Sequence, residues 1–596
     1  MKSGESLRVA EARKYLGCCP ERSPSLPSDF PPPPVTNALS WARYGIPVVN
    51  GVAKVFQRQV ANRGIPGDLA LIMCHYGQDA AHLQASNSAL AITMKDAPAT
   101  FLVEAVDPDC PRHFDTQEGI TYIPRVVTEA SKGLWLKEPL WDIGAKEAIA
   151  QGYTKLAFLD MDCSFCTQDW AQQISNALEN LDVCHPHEYA YYADQPDDPV
   201  KGLRPSRGKN NSTGHPGMAL AMTAKFFMDE LDGHLVYAVD GQGDKLLWFK
   251  MLGCPERPDI YLRLSKELTM IDGKGMMPTP RTGHAGLLVV HHGHGPLQHR
   301  NYLARSVVAK AAFPAVGVDV TYLPDGMPAV VSGPAGLTCQ TAMPLVMRGN
   351  RAIGRREARD IYDDAAQQHY GPIDEDNPLV VSVALRTGKN YNYRHVLWLK
   401  GQFDAHCKAP FRFVCFSDTD IPGVETIPFI TSPKETPFQY CQKEQYRNIF
   451  PKGTSVLTCD IDTVVYRDFV PHRCPEGSFF MLREYGNWVR AGWATWGGGL
   501  TYYNGDYSII FDDYMTDVRA GGIRRPSYTF IGCQESSCNS LRKAGIYPQS
   551  IESHFAPRYY NDDINDIPED AHFVIFPGNP KPWRVRPLPP WIPTLN

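Results

Sequence analysis

Two Asp-x-Asp triplets carry the plainest chemistry in this sequence, Asp160-Met161-Asp162 and Asp460-Ile461-Asp462. Each follows an apolar run, Lys155-Leu-Ala-Phe-Leu159 in one case and Thr454-Ser-Val-Leu-Thr458 with Cys459 in the other, of the kind that makes a buried strand. In an open α/β sheet, ligands gather beyond the carboxyl ends of the strands, which is where these acids fall. Two hard carboxylates there suit Mg²⁺ or Mn²⁺, and such an ion neutralises charge developing on a departing nucleotide diphosphate. A single Asp-x-Asp also arises as a cap or a solvated loop. Two of them in equivalent places are a stronger signal.

The elements that must position these acids follow a repeated plan. Leu69-Ala-Leu-Ile-Met-Cys74 reads as a buried strand ended by His75-Tyr76-Gly77, and a helix over Ile143 to Gly152 feeds the strand before Asp160. After the acidic, proline-containing stretch Gly371 to Pro378 the plan recurs, with strands at Leu379–Ala384, Phe411–Phe416 and Thr454–Thr458. The expected fold class is α/β, two Rossmann-like and mainly parallel sheets in tandem. Ahead of them, residues 23–35 form a proline-rich spacer, followed by an expected helix around Trp41 to Val60. The expected organisation is an N-terminal extension (1–66), a first domain (67–310), a connector with a hairpin and a helix (311–377), and a second domain (378–596). The halves share a plan without residue-level repetition.

At 596 residues the chain exceeds what one core usually organises, which agrees with two domains. A net charge of -6 excludes a global attraction for nucleic acid or anionic membrane, so any phosphate binding must be local. The opening MKSGESLRVAEARKYLG lacks the apolar stretch of a secretory signal, and no apolar run approaches the roughly 20 residues of a membrane span. A cytoplasmic location, in a bacterium or a virus-infected cell, is expected. The sixteen cysteines are scattered without a compact framework and read as reduced thiols. Cys163-Ser-Phe-Cys166 is a lone CxxC, better read as buried or loop thiols than as a zinc site.

On these motifs the chain resembles the GT-A glycosyltransferases. In the first half the resemblance rests on Asp142-Ile-Gly144 with Tyr153 to Asp162, Gly214-His-Pro-Gly-Met-Ala-Leu220, Gly241-Gln-Gly-Asp244, and Val290-His291-His292-Gly293-His294-Gly295 with Arg300 to Arg305. It implies an inverting enzyme in which Asp160 and Asp162 bind metal and donor and a late histidine, His294 in preference to His291, completes the ion's ligands. Inverting transfer is a single displacement and needs a carboxylate to take the acceptor hydroxyl's proton. Asp244 is the candidate base, and a helix-capping acid is the alternative role. His75, closing the opening strand, is placed on the donor side.

The second half resembles the retaining, glycogenin-like family and its bacterial and viral relatives. The residues are Thr387-Gly-Lys-Asn-Tyr391, Phe416-Ser-Asp418, Gln442-Lys443, Asp460-Ile-Asp462 and Phe576-Pro577-Gly578-Asn-Pro-Lys581-Pro-Trp583. This implies that Thr387 and Tyr391 hold a nucleoside, that Lys443 and Lys581 lie on the donor side with Lys581 at the diphosphate as a point charge, and that Asp460 and Asp462 hold metal. Two departures matter: Pro577 stands where the family has a metal-binding histidine, and Gly532-Cys533-Gln534 stands where it has Gly-Asp-Gln.

The function expected is metal-dependent transfer of a sugar from a nucleotide-diphosphate donor, a UDP-sugar, to a hydroxyl acceptor. One active domain fused to a degenerate glycan- or acceptor-binding domain is the alternative. A pair of nucleotidyltransferases is disfavoured because no Gly-rich phosphate loop follows the first opening strand. The acceptor classes open are glycan, lipid-linked sugar, protein and hydroxymethylated viral DNA. Acceptors that carry phosphates, the lipid-linked sugar and the viral DNA, are kept open by the basic run Lys201 to Lys209 and by Arg348, Arg351, Arg355, Arg356 and Arg359.

Overall fold

The computed structural model describes residues 48–49, 52–53, 66–76, 80–106, 119–165, 169–193, 195–201, 217–235, 243–252, 280–292, 300–312, 320–330, 333–347, 351–388, 391–432, 438–483, 496–519, 533–560, 567, 569–576 and 580–595. The proline-rich spacer, Cys166, Arg204, Arg207, Lys209, His294, Arg348 and Pro577 lie outside the described residues, as do the side chains of Cys533 and Gln534. The chain divides into two compact units, residues 1–300 with 316–331 and residues 301–315 with 332–596. Within the span expected as an N-terminal helix, Val48–Val49 pairs antiparallel with Val52–Ala53. The β-branched valines favour extended backbone there, and Asn-Gly between them is a hairpin dipeptide.

The first unit is built on a nine-stranded sheet. Its strands are β1 (Leu69–Tyr76), β2 (Ala99–Val106), β3 (Ile120–Val126), β4 (Lys155–Leu159), β5 (Cys163–Phe165), β6 (Val183–Tyr192), β7 (Gln195–Lys201), β8 (Ala219–Thr223) and β9 (Thr282–His291). They lie in the order β3-β2-β1-β4-β8-β6-β9-β5, with β7 beside β6. The first four are parallel, and β8 joins β4 antiparallel. β1 and β4 are buried along their whole length, as continuous apolar runs covered on both faces should be. The described helices are α1 (Ala80–Thr93), α2 (Lys137–Ala150), α3 (Trp170–Leu178), α4 (Ala224–Asp229) and α5 (Gly243–Leu252). A hairpin of β10 (Val320–Tyr322) and β11 (Pro328–Val330) belongs to the same unit.

Helix α2 begins at Lys137, six residues before the sequence reading placed it, because Pro139 falls in the first turn, where a missing N–H breaks no intrahelical bond. Its Gly144 lets the helix lie close on the sheet: a Cβ there would come within 2.8 Å of Ile72 Cγ2 and 3.0 Å of Val103 Cγ2. Gly144→Ala is expected to destabilise the unit by about 1–3 kcal/mol through overpacking. Thermal unfolding is the check, and an unchanged midpoint would show that these branched side chains repack freely.

The second unit adds α6 (Tyr302–Ala312), α7 (Pro334–Met347) and α8 (Arg355–Tyr370) to a seven-stranded sheet. Its elements are β12 (Leu379–Leu385), α9 (Tyr393–His406), β13 (Phe411–Ser417), β14 (Glu425–Pro428), β15 (Val456–Cys459), β16 (Val464–Val465), β17 (Ser478–Arg483), β18 (Trp496–Asn504), α10 (Ile509–Arg519), α11 (Cys533–Lys543), β19 (Gln549–Ser550), β20 (Pro557–Tyr559) and β21 (Phe573–Ile575). The main order is β14-β13-β12-β15-β18-β17-β19, and β16, β21 and β20 form a separate sheet. Two apolar clusters cover the faces, one centred on Leu399, Phe403 and Phe573, the other on Phe416, Tyr503 and Tyr514. α7, which contains Pro344, was not anticipated from the sequence.

The fold class is therefore α/β, with a Rossmann-like sheet in each unit. Four strands run parallel up to the Asp-x-Asp strand in each sheet, and both sheets turn antiparallel at the strand beside it, with one further parallel pairing beyond, β6 with β9 and β17 with β19. That neighbour, β8 or β18, is the structural form of the shared plan.

Candidate functional site

Both Asp-x-Asp triplets leave the fourth strand of their parallel block and are clasped alike by the antiparallel neighbour. The Asp160 N–H donates to Met218 O at 2.9 Å and the Asp460 N–H to Gly499 O at 3.0 Å. A tight turn follows in each, with Cys163 N–H donating to Asp160 O at 2.9 Å and Thr463 N–H to Asp460 O at 3.0 Å. The backbone at the first acid of each triplet is thus fixed by main-chain hydrogen bonds.

In the first unit the sheet itself delivers His291. Strand β9 pairs antiparallel with β5 so that His291 lies opposite Cys163, and His292 N–H donates to Asp162 O at 2.8 Å. His291 Nε2 stands 3.1 Å from Asp162 Oδ2, and His82 Nε2, from α1, stands 3.5 Å from the same oxygen. The Cys163 thiol donates to Asp162 Oδ1 at 3.4 Å. Asp162, Cys163 and His291, all buried, bring donor atoms within 4.8 Å of one another, a grouping able to hold a metal ion. Arg300 donates to His291 Nε2 at 2.9 Å. His292 faces away, paired with Ser164 Oγ at 2.9 Å, and burial with the neighbouring His291 pulls its pKa down to about 4 against the opposing charge of Asp162.

Asp160 is held differently. Lys137 Nζ, at the N-terminus of α2, is 2.9 Å from Asp160 Oδ1 and 3.6 Å from Asp244 Oδ2. One ammonium thus links the first acid of the triplet to the candidate base in the first turn of α5. Burial depresses the Lys137 pKa, but Asp160, Asp244 and Glu138 outweigh it and hold the amine charged. Burial and then Asp162 push Asp160 up, with Lys137 opposing. A half-buried carboxylate beside a buried one, with the charge of Asp162 weighing against that of Asp160, is an environment a divalent cation relieves, so the residues present fit one.

Glu138 is a further buried acid, with neither carboxylate oxygen hydrogen-bonded among the described residues. Burial raises its pKa from the ordinary 4.5 to about 8, with Lys137 opposing and Asp244 adding to the rise. A carboxyl whose folded pKa is raised binds protons more tightly when folded, so its cost is absent below pH 4.5 and grows as pH rises towards 8. Glu138→Gln removes that cost. Its melting temperature is expected to match that of the wild type near pH 4.5 and to exceed it increasingly up to pH 8; a pH-independent gap would show that Glu138 is ionised throughout.

His75 is fully buried, with Nδ1 3.4 Å from Glu104 Oε1 on the neighbouring strand, and its ring stacks on His82 at 6.1 Å. His82 in turn stands beside Asp162, which links His75 to the triplet. Asp142 accepts Leu235 N–H at 2.9 Å and faces His234 Nδ1 at 3.3 Å, so it anchors a turn away from the triplet.

In the second unit Lys581 and Tyr391 both converge on Asp462. The Lys581 ammonium donates to Asp462 Oδ2, and the Tyr391 hydroxyl donates to the same oxygen at 3.0 Å. Burial and then Asp462 raise the Tyr391 pKa, keeping it a donor. Gln442 donates to Asp460 Oδ1, and burial followed by the charge of Asp462 lifts Asp460 to about 7. Lys443, one residue on, is buried and turned to Ser536 Oγ at 2.9 Å. Thr387 lies at the carboxyl end of β12, its N–H donating to the Asp418 carboxylate at 3.0 and 3.2 Å across the end of β13. His554 packs against His472 and Tyr502, and His572 against Arg467 and Asp363, so neither imidazole is held at the second triplet.

The sequence reading missed Lys137, Glu138, His82 and Gln442 as site residues. Lys137-Glu138-Pro139 could have been found as a helix-start signal, since Pro in a first turn is common. Nothing local marks His82, which reaches Asp162 only through tertiary packing.

No family model matches the chain, and no curated protein matches it. Among solved structures it is similar to the galactosyltransferase LgtC in complex with donor and acceptor sugar analogues (14% identity, TM-score 0.23, 35% of this chain and 90% of that one). It is also similar to the apo glycosyltransferase GlyE of Streptococcus pneumoniae (13%, 0.25, 35% and 56%) and to the bifunctional glycosyltransferase WbbM (12%, 0.23, 48% and 68%). At such TM-scores these likenesses carry no weight for function.

Proposed function

We propose that the chain is a metal-dependent glycosyltransferase with a nucleotide-sugar site in each of two domains, 67–310 and 378–596, transferring sugar from a nucleotide-diphosphate donor to a hydroxyl acceptor. The observation that carries this reading is the pair of Asp-x-Asp triplets, each at the end of the fourth parallel strand and each fixed by the same main-chain clasp. Asp162 and His291 would hold Mn²⁺ or Mg²⁺ in the first domain, with His294 nearby in sequence, and Asp460 and Asp462 in the second. The ion supplies charge neutralisation for a departing diphosphate. Asp244 takes the acceptor proton, and Lys137 holds Asp160 and Asp244 in one constellation. In the second domain Lys581 meets the diphosphate, while Thr387 and Tyr391 contact the nucleoside. A UDP-sugar is the donor we favour, and a glycan the acceptor.

A second reading has one active domain and one that only binds. It is favoured by the grouping of three potential metal donors, found among the described residues in the first unit only, and by the engagement of Asp462 with Lys581 and Tyr391. A thermal-shift screen of nucleotide sugars with Mn²⁺ tests the main reading, which predicts stabilisation by a UDP-sugar and Mn²⁺ together beyond either alone. At a ligand concentration about 100 times Kd the gain is about 2.7 kcal/mol. No shift with any nucleotide sugar would exclude a donor site.

A further inference from the structure

Cys163 begins β5, is fully buried, and sits opposite His291 in the β5–β9 ladder. Its thiol points at one oxygen of Asp162 while His291 Nε2 points at the other. Arg300 can only donate, so its 2.9 Å contact makes His291 Nε2 the unprotonated, acceptor nitrogen, with its lone pair held by a guanidinium that an ion would displace. That nitrogen lies 3.1 Å from Asp162 Oδ2, also an acceptor. The nitrogen, a carboxylate oxygen and the sulfur offer three donor atoms within 4.8 Å of one another, close enough to share one ion.

We propose that Cys163 is a third protein donor, completing with Asp162 and His291 a sulfur–nitrogen–oxygen site for a borderline transition-metal ion, Zn²⁺ or Co²⁺, in preference to Mg²⁺. The inference rests on reading Asp162 and His291 as the ligands of the first domain's ion. Mg²⁺ demands oxygen ligands and keeps its waters, whereas thiolate and imidazole suit Zn²⁺ and its neighbours. Binding breaks the S–H bond, the sulfur keeps the electron pair and donates it to the ion, and the proton leaves to solvent; no electrons are transferred.

The test is a Co²⁺ titration of the full chain under reducing conditions, followed by the near-ultraviolet thiolate-to-Co²⁺ charge-transfer band. Cys163→Ser and Cys163→Ala serve as variants, to separate this thiol from the other cysteines and to guard against one replacement misfolding. The wild type is expected to show the band. Both variants should lose it, together with at least about tenfold of the Zn²⁺ affinity, since even outer-shell changes cost that much. Co²⁺ bound without the band, or a band undiminished in both variants, overturns the role of Cys163 while leaving Asp162 and His291 as ligands. Absence of any Co²⁺, Zn²⁺ or Mn²⁺ binding by the wild type overturns both the inference and the metal reading beneath it.

Discussion

Asp162→Asn is expected to abolish metal binding in the first domain and to lower its transfer rate more than about 100-fold, because outer-shell changes alone cost 10- to 100-fold and this residue is a direct ligand in the reading above. The amide keeps the shape and can still pair with Cys163 and His82, so the fold should survive. What disappears is the negative charge on which His291, His82 and Cys163 converge. Calorimetry with Mn²⁺ and a sugar-transfer assay are the measurements. Full transfer by the variant, or by wild type in chelator, would remove metal from the account.

Asp244→Asn is the second large effect. Loss of a positioned base typically costs about 10²- to 10⁴-fold, and donor affinity should change little because Asp244 is linked to Asp160 through the Lys137 ammonium. The bland alternative is a first-turn carboxylate stabilising α5 through its dipole, and the structure does place Asp244 in that turn. The two roles separate cleanly. A base variant keeps its melting temperature and loses rate, while a cap variant melts earlier and keeps its specific activity.

The strands and their carboxyl ends were legible because a strand covered on both faces must be mainly apolar, as β1, β4 and β12 are. The acids were legible for the complementary reason that two charged residues cannot continue such a strand. Less could be read where sequence distance is large. The meeting of Lys137 with Asp160 and Asp244, and of His82 with Asp162, depends on how helices cross the sheet, and periodicity carries no record of that. Lys443 and Gln442 show the limit at one-residue resolution: the segment was found, but the neighbour of the expected residue is the one that reaches Asp460. The start of α2 was obscured by Pro139, a helix breaker everywhere except in the turn it occupies.

The β5–β9 ladder makes the first centre a gauge of strand alignment. Val290 pairs with Ser164 and His291 with Cys163, so a slip of one residue would set Val290 against Cys163 and carry the imidazole to the opposite face. Under the proposed ligand set, an ion bound there would reward a single alignment and penalise its neighbours. Inserting one residue within β9 should silence the centre even if the sheet still forms, whereas the same insertion in a surface loop leaves the pairing intact. Fidelity of chain alignment and competence for chemistry are, at this edge of the sheet, one and the same property.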